Sequence, residues 1–272
     1  MDDRPIGVFD SGLGGLTAVK ELHRLLPRED IIYFGDTGRA PYGSRSREAI
    51  IKYARQDIAF LRRYDIKAVV AACGTVSTNG LEEAAGDCGI PVYGVVEPAA
   101  AAAAAATRSG RVGIIGTSSS IRSGVYDRTL ERLRPGVTVT AVSCPLFVPL
   151  VEAGRTDPND PVLRLVAEEY LAPHREAGVD VLIMGCTHYP IIRAAIADIM
   201  GPDVALIDPG AETARRLADE LSDLGLLSDR SQGSGRYFVS DRPHGFSEIA
   251  AAFLEQDIEG EVTEIHVDDI KV

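Results

Sequence analysis

Short apolar runs alternate with longer amphipathic stretches from one end of the chain to the other. The runs at residues 5–9, 31–34, 68–72, 92–95, 112–115, 137–142, 181–184, 204–207 and 237–239 read as strands. Near-continuous apolar runs, rather than strict alternation, mark strands covered on both faces. Between them, residues 46–62, 77–85, 162–176 and 211–224 carry a helical period. Strand–helix alternation of this kind predicts an α/β protein with mainly parallel, doubly wound sheets and helices on both faces.

The alanine run 99–106 reads as a packing helix without chemistry of its own. Alanine has the best helix propensity, Pro98 suits a first turn and Gly110 follows the end. An internal echo says more. Ile6-Gly7-Val8-Phe9-Asp10-Ser11 matches Val112-Gly113-Ile114-Ile115-Gly116-Thr117, and the run 66–73 ending in Cys73 matches the run 179–186 ending in Cys186. The repeat predicts two pseudo-symmetric α/β domains, one from residues 1–97 with 207–272 and one from residues 98–206. Ligand sites in open α/β sheets lie beyond the carboxyl ends of the strands. Asp10, Asp36, Cys73, Thr117, Cys144 and Cys186 all fall at or just past such ends. Two facing halves would bring them to one cleft.

With 272 residues the chain is long enough for two such cores. Forty acidic against 28 basic side chains leave a net charge of −12, which disfavours nucleic acid or an anionic membrane as a partner. No apolar run approaches the roughly 20 residues of a bilayer span, and the first residues show no basic-then-apolar secretory pattern. Four cysteines are too few for a disulfide scaffold. A cytoplasmic protein with free thiols is the expectation.

Ala72-Cys73-Gly74-Thr75 and Gly185-Cys186-Thr187-His188-Tyr189-Pro190 each put a thiol on a strand-to-helix turn, beside backbone N–H groups that favour thiolate. A lone buried cysteine is ordinarily structural, and Cys88 and Cys144 read that way. Two cysteines at equivalent places in echoed halves point to paired chemistry. Racemisation needs such a pair, because a base must take a Cα proton from one face while an acid delivers one to the other. Asp10 and His188 are the natural helpers, with Glu152 a further candidate. The plainer alternatives are a helix cap for Asp10, a satisfied structural histidine, and an exposed helix position for Glu152.

Gly12, Gly14 and Gly15 are followed by Thr17, which breaks the dinucleotide fingerprint, and no G-x-x-x-x-G-K-[ST] loop occurs. What remains is a turn whose amides, with Ser11, suit a carboxylate. Residues 35–44 offer a second such turn. A zinc site lacks ligand spacing, since there is no C-x-x-C and Cys186-x-His188 is the only close pair. A thiol hydrolase with Cys186 as nucleophile and His188 as base lacks a G-x-S-x-G elbow. Neither a metal nor a cofactor is expected.

Several ordered motifs resemble the glutamate racemase family. They are Phe9-Asp10-Ser11-Gly12, Asp36-Thr37 with Pro41-Tyr42-Gly43, the string from Cys144 to Glu152, the string from Gly185 to Pro190, and Glu212-Thr213-Ala214. The resemblance runs from about Ile6 to Leu254 and implies L/D-glutamate interconversion without pyridoxal phosphate, in a cleft between two domains. It implies that Cys73, supported by Asp10, serves the D-enantiomer, and that Cys186, supported by His188 and Glu152, serves the L-enantiomer. Substrate contacts would come from Asp10, Ser11, Pro41, Tyr42, Gly43, Ser44, Gly74, Thr75, Thr117 and Thr187. A homodimer is implied too, with D-glutamate feeding peptidoglycan and so cell-wall biogenesis and cell shape.

One position departs from the pattern. The family typically has asparagine directly after the first catalytic cysteine, and here that residue is Gly74. Partners left unsatisfied by a lost amide cost on the order of 1–3 kcal/mol each, unless Ser77 or Asn79 replaces the contact. The alternatives are a racemase of aspartate or another small acid, and a substrate-binding protein with impaired catalysis that Gly74→Asn would restore.

Overall fold

The computed structural model describes residues 1–86, 88–241, 246–255 and 262–270. The chain first forms β1 (Ile6–Asp10), α1 (Leu16–Leu25), β2 (Ile31–Gly35), α2 (Arg47–Leu61), β3 (Ala68–Ala71), α3 (Gly74–Thr78), α4 (Leu81–Ala85) and β4 (Val92–Gly94). It continues as α5 (Val96–Ala106), β5 (Arg111–Gly116), α6 (Ser118–Arg122), α7 (Val125–Leu133), β6 (Thr138–Ser143), α8 (Phe147–Glu152), α9 (Pro161–Glu176) and β7 (Val181–Gly185). α10 (Arg193–Met200), β8 (Ala205–Ile207), α11 (Pro209–Asp223), β9 (Gly235–Val239), α12 (Phe246–Leu254) and β10 (Val262–Glu264) complete it.

The strands form two sheets, ordered β10-β9-β2-β1-β3-β4 and β6-β5-β7-β8. All the strand pairings described are parallel. The segment β2-β1-β3-β4 of the first sheet has the order of the whole second sheet, so the echo in the sequence is an echo in topology. β1 and β5 are the equivalent central strands, and β3 and β7 their equivalent neighbours. Cys73 and Cys186 therefore leave equivalent corners of the two sheets.

Each of the nine expected strands forms within two residues of its expected bounds. The helix expected over 77–85 does not form as one piece. α3 starts at Gly74 and stops at Thr78, and α4 starts after Gly80, which has φ +120°. That left-handed backbone is natural for glycine and ends a right-handed helix. β10 was outside the expectation; it is a three-residue edge strand with two polar positions.

One hydrophobic cluster joins the halves, with Val8, Leu16 and Tyr33 from the first and Leu182, Met184 and Tyr189 from the second. Separate clusters cover the remaining faces, around Phe34, Phe60 and Phe238 in the first half and Ile114, Leu130 and Ile183 in the second. The alanine-rich α5 buries Ala99, Ala100 and Ala103 and packs on α7 and α11. Small side chains permit that close approach from both sides. No helix among the described residues is long and apolar enough to cross a membrane.

Candidate active site

Beyond the carboxyl ends of β1, β3, β5 and β7 lies a cavity of about 630 Å³ walled by both halves. From the first half come Ser11, Pro41, Tyr42, Gly43, Ser44, Cys73, Gly74 and Thr75. From the second come Thr117, Glu152, Cys186, Thr187 and His188, so both thiols stand on one cavity wall each. The four cysteines are free and buried.

On the first side, the Cys73 thiol donates to Ser11 Oγ at 3.5 Å. Burial, with the Asp10 carboxyl behind it, pushes this thiol up to about 12. Cys73 is therefore an S–H acid at neutral pH. Asp10 is wholly buried, and its Oδ2 accepts the N–H groups of Gly12 at 3.1 Å and Gly15 at 3.0 Å. Its Oδ1 has no hydrogen-bond partner among the described residues, and burial raises the carboxyl above its ordinary range. Gly15 permits this fit, since a Cβ there would lie 2.5 Å from Asp10 Cβ.

The second side is built differently. Cys186 leaves β7 in a tight turn, its N–H donating to Met184 O at 2.8 Å. Its Sγ lies 3.9 Å from His188 Nδ1, and His188 Nε2 lies 3.0 Å from Glu152 Oε1. Burial opposes a charge on the ring, but the hydrogen bonds and charges of Cys186 and Glu152 outweigh it and raise His188 to about 10. An imidazolium thus stands between a thiol and a carboxylate. Gly14 makes the room, because a Cβ there would meet Thr187 Oγ1 at 2.2 Å and His188 Nδ1 at 2.6 Å. Phe253 of α12 packs edge-on to the imidazole, ring centroids 5.3 Å apart at 86°.

The loop after β2 is pinned from beneath. Tyr42 is buried, its hydroxyl donating to Asp36 and lying 3.1 Å from Asp57 Oδ2. Arg39 pairs with Asp36 at 2.6 Å and with Asp57 at 3.2 Å, and Ser240 Oγ donates to Asp36 Oδ1 at 2.7 Å. Burial and the nearby Asp36 charge raise Asp57 well above its ordinary value, against the pull of Arg39. The loop closes on the second half at Gly43, where a Cβ would lie 3.2 Å from Thr117 Cβ.

Four of the expected residues sit in particular ways. Asp10 stands behind the cavity wall rather than on it, at the end of β1. Tyr42 lines the cavity with its hydroxyl turned away, onto Asp36 and Asp57. Ser77 donates to Ala71 O at 3.2 Å and accepts from Val95 N–H at 3.2 Å, away from the cavity. Asn79 Nδ2 donates to Thr75 O at 2.8 Å, and its Oδ1 accepts from Ser119 at 3.2 Å. Neither replaces an amide at position 74.

Cys88 lies off the cavity, while Cys144 is on its wall, with its thiol pushed up by burial. Its carbonyl takes the Tyr189 hydroxyl at 3.0 Å. Sequence reasoning missed Arg122, the one arginine or lysine on the wall among the described residues. It is exposed and has no ion-pair partner among them. Its signal was its place at the end of the turn that begins at Thr117.

The sequence profile of the Asp/Glu/Hydantoin racemase family matches residues 6–217. A glutamate racemase of Geobacter metallireducens is 49% identical over 255 residues, 93% of this chain and 94% of its own length. The solved glutamate racemase of Bacillus anthracis superposes with a TM-score of 0.92 at 35% identity, covering 97% of this chain and 98% of its own. That of Francisella tularensis, solved in complex with D-glutamate, gives 0.89 at 38% identity, covering 98% and 99%. In sequence along most of its length and in its superposition on solved relatives, the chain belongs to the Asp/Glu/hydantoin racemase family.

Proposed function

We propose that the protein interconverts L- and D-glutamate by proton transfer between two opposed thiols, without a cofactor. The observation that carries the reading is that Cys73 and Cys186, one from each half and at equivalent strand ends, line one cavity. Family membership supports racemisation as the reaction. The glutamate racemase relatives, one of them solved with D-glutamate, support glutamate as the substrate.

In the L-to-D direction Cys186 is the base. The His188 cation beside it stabilises a negative sulfur, as thiolate–imidazolium pairs do. The sulfur takes the Cα proton, and an S–H bond forms as the C–H bond breaks. Cys73 then gives its proton to the opposite face of the carbanion and is left as thiolate. Its high pKa keeps that proton in place until the carbanion forms. One proton passes from Cys186 to Cys73 through solvent to reset the pair, and the reverse reaction exchanges the roles.

Ser11, the backbone of residues 41–44, the Gly74 N–H, Thr75, Thr117 and Thr187 hold the ammonium and carboxylate groups in this reading. Glu152 anchors His188, and Asp10 supports Cys73. The two halves are read as domains, 1–97 with 207–272 and 98–206. The reading extends to a cytoplasmic homodimer whose D-glutamate feeds peptidoglycan.

The test is incubation with L-glutamate in heavy water with no added cofactor. Decay of the amino acid's circular dichroism should accompany deuterium at Cα of the D-product. Turnover of aspartate or a hydantoin without glutamate would change the substrate. Absence of exchange with all three would overturn the reading.

A further inference from the structure

We propose that Gly74 is a positioning residue. Its missing side chain lets the two halves touch backbone to backbone between the thiols, and that contact sets the separation across which the thiols face each other. The proposal rests on the two-thiol reading above.

Gly74 directly follows Cys73, and Gly185 directly precedes Cys186. A Cβ on Gly74 would lie 2.6 Å from the Gly185 carbonyl oxygen, 3.4 Å from its carbonyl carbon and 4.0 Å from Cys186 Cα. The first distance is well inside van der Waals contact, so something would have to move. The obstacle is main chain at the end of a paired strand, not the tip of a flexible side chain. Gly185 is itself boxed in, since a Cβ on it would meet Ile115 O at 2.9 Å and the Tyr126 ring at 3.4 Å. The strand cannot retreat within its own sheet. Relief comes by moving the second half away from the first, and that motion carries Cys186 away from Cys73.

The neighbouring contacts between the halves are softer. Thr75 Oγ1 lies 3.0 Å from Thr117 Oγ1, Thr17 Oγ1 donates to Thr187 O at 3.1 Å, and Thr78 Oγ1 donates to Ser120 Oγ at 3.3 Å. Such hydrogen bonds tolerate changes of a few tenths of an ångström. Gly14 and Gly43 also seat against the second half, but the atoms they meet belong to the side chains of Thr187, His188 and Thr117. Of these three glycines, Gly74 alone meets main chain, and it lies closest along the chain to both sulfurs.

Proton transfer needs reacting atoms about 3–3.5 Å apart, and a displacement of about 1 Å costs on the order of 10²-fold in rate. A carbon held between two sulfurs that have been spread apart cannot be near both. Gly74→Ala is therefore expected to lower kcat in both directions by about 10²-fold while KM moves by less than about threefold. The α-deuterium isotope effect on kcat should rise, because proton transfer becomes the slow step. Gly74→Asn carries the same Cβ and should fall at least as far, although asparagine is the residue typical at this place.

A raised KM with kcat retained in Gly74→Ala, or a gain in kcat in Gly74→Asn, would overturn the proposal. Should the variants fail to fold, a crystal structure of the unaltered protein with glutamate decides instead. Gly74 Cα should be in van der Waals contact with Gly185 O, and a gap there wide enough for a methyl group would overturn it. If the unaltered protein turns over no amino acid, the two-thiol reading fails, whether or not that contact is seen.

Discussion

Glu152 Oε1 accepts a hydrogen bond from His188 Nε2 at 3.0 Å while the other ring nitrogen faces Cys186 Sγ. The histidine is held as a cation by partners on both sides. Its raised pKa, to about 10, means that the charge is present through neutral pH and disappears as pH rises toward that value. The kcat/KM for L-glutamate should accordingly hold through neutrality and fall on an alkaline limb near 10. In Glu152→Gln the limb should move down by about one unit as one support of the cation is lost. His188→Asn should lose about 10²-fold in the L-to-D direction. An unchanged pH profile in both variants would remove His188 from the Cys186 side of the reaction.

The two thiols differ in their surroundings. Burial and Asp10 hold Cys73 as S–H, while Cys186 has the His188 cation at 3.9 Å. Alkylation requires thiolate, so a small haloacetamide at neutral pH should label Cys186 before Cys73, as read by peptide mass mapping. Cys73 labelled first would contradict the assignment of acid and base at rest. With Cys73→Ala, abstraction from L-glutamate should survive as deuterium exchange that returns L-product, whereas Cys186→Ala should abolish it.

The Asp36–Tyr42–Asp57 network makes a prediction about stability. A hydroxyl has one proton to donate, and Tyr42 gives it to Asp36, so the contact with Asp57 is satisfied when Asp57 is the protonated partner. Its pKa is raised in the folded state, so the folded protein binds more protons and loses stability as pH rises above the ordinary carboxylate range. Asp57→Asn should remove that slope, matching the parent at acid pH and exceeding it at neutral pH. Asp57→Ala, leaving Tyr42 and Arg39 short of a partner, should cost about 1–3 kcal/mol. Urea titrations between pH 5 and 9 distinguish them, and equal losses in both variants would show that Asp57 is not the protonated partner.

How far this site can be read from sequence depends on the range of each contact. The end-of-strand places of Cys73 and Cys186 are legible because Val- and Ile-rich runs stop at them, and the echo of one run in the other predicts their equivalence. The break between α3 and α4 falls at Asn79-Gly80, a turn-forming pair inside the expected helix, where the left-handed backbone of Gly80 interrupts it. A sequence shows that Gly74 lacks a Cβ but not that the Gly185 carbonyl stands opposite. Tyr42 sits in a loop motif that points to the cavity, and only the packing of α2 beneath it reveals that its hydroxyl belongs to Asp36 and Asp57. Asp10 follows the same rule: the strand end is visible in the sequence, and the Gly15 contact that buries it is not.

Arg122 brings a guanidinium with no ion-pair partner among the described residues to the cavity wall of a protein with a net charge of −12. Glutamate is itself an anion at neutral pH, so a local positive charge raises its encounter rate against the field of the whole molecule. Arg122→Gln should lower kcat/KM several-fold, mostly through KM, and the deficit should shrink as salt screens the charge over about 8–10 Å. A loss independent of ionic strength would indicate a packing role instead.

His174 on α9 offers a test that does not touch catalysis. It is wholly buried, and neither ring nitrogen has a hydrogen-bond partner among the described residues. Burial lowers its pKa to about 4, against an unfolded value of about 6.5. With the folded value depressed, the unfolded chain binds the proton more readily. Stability should therefore fall as pH drops below 6.5, by about 2–3 kcal/mol on reaching pH 4. His174→Leu replaces the ring by an apolar group of similar size and removes the titration. The variant should match or exceed the parent at pH 7, because an unpaired buried polar group costs about 1–3 kcal/mol. Its urea midpoint should also decline less between pH 7 and pH 4. The same acid slope in both proteins would place the loss on the carboxylates and clear His174 of it.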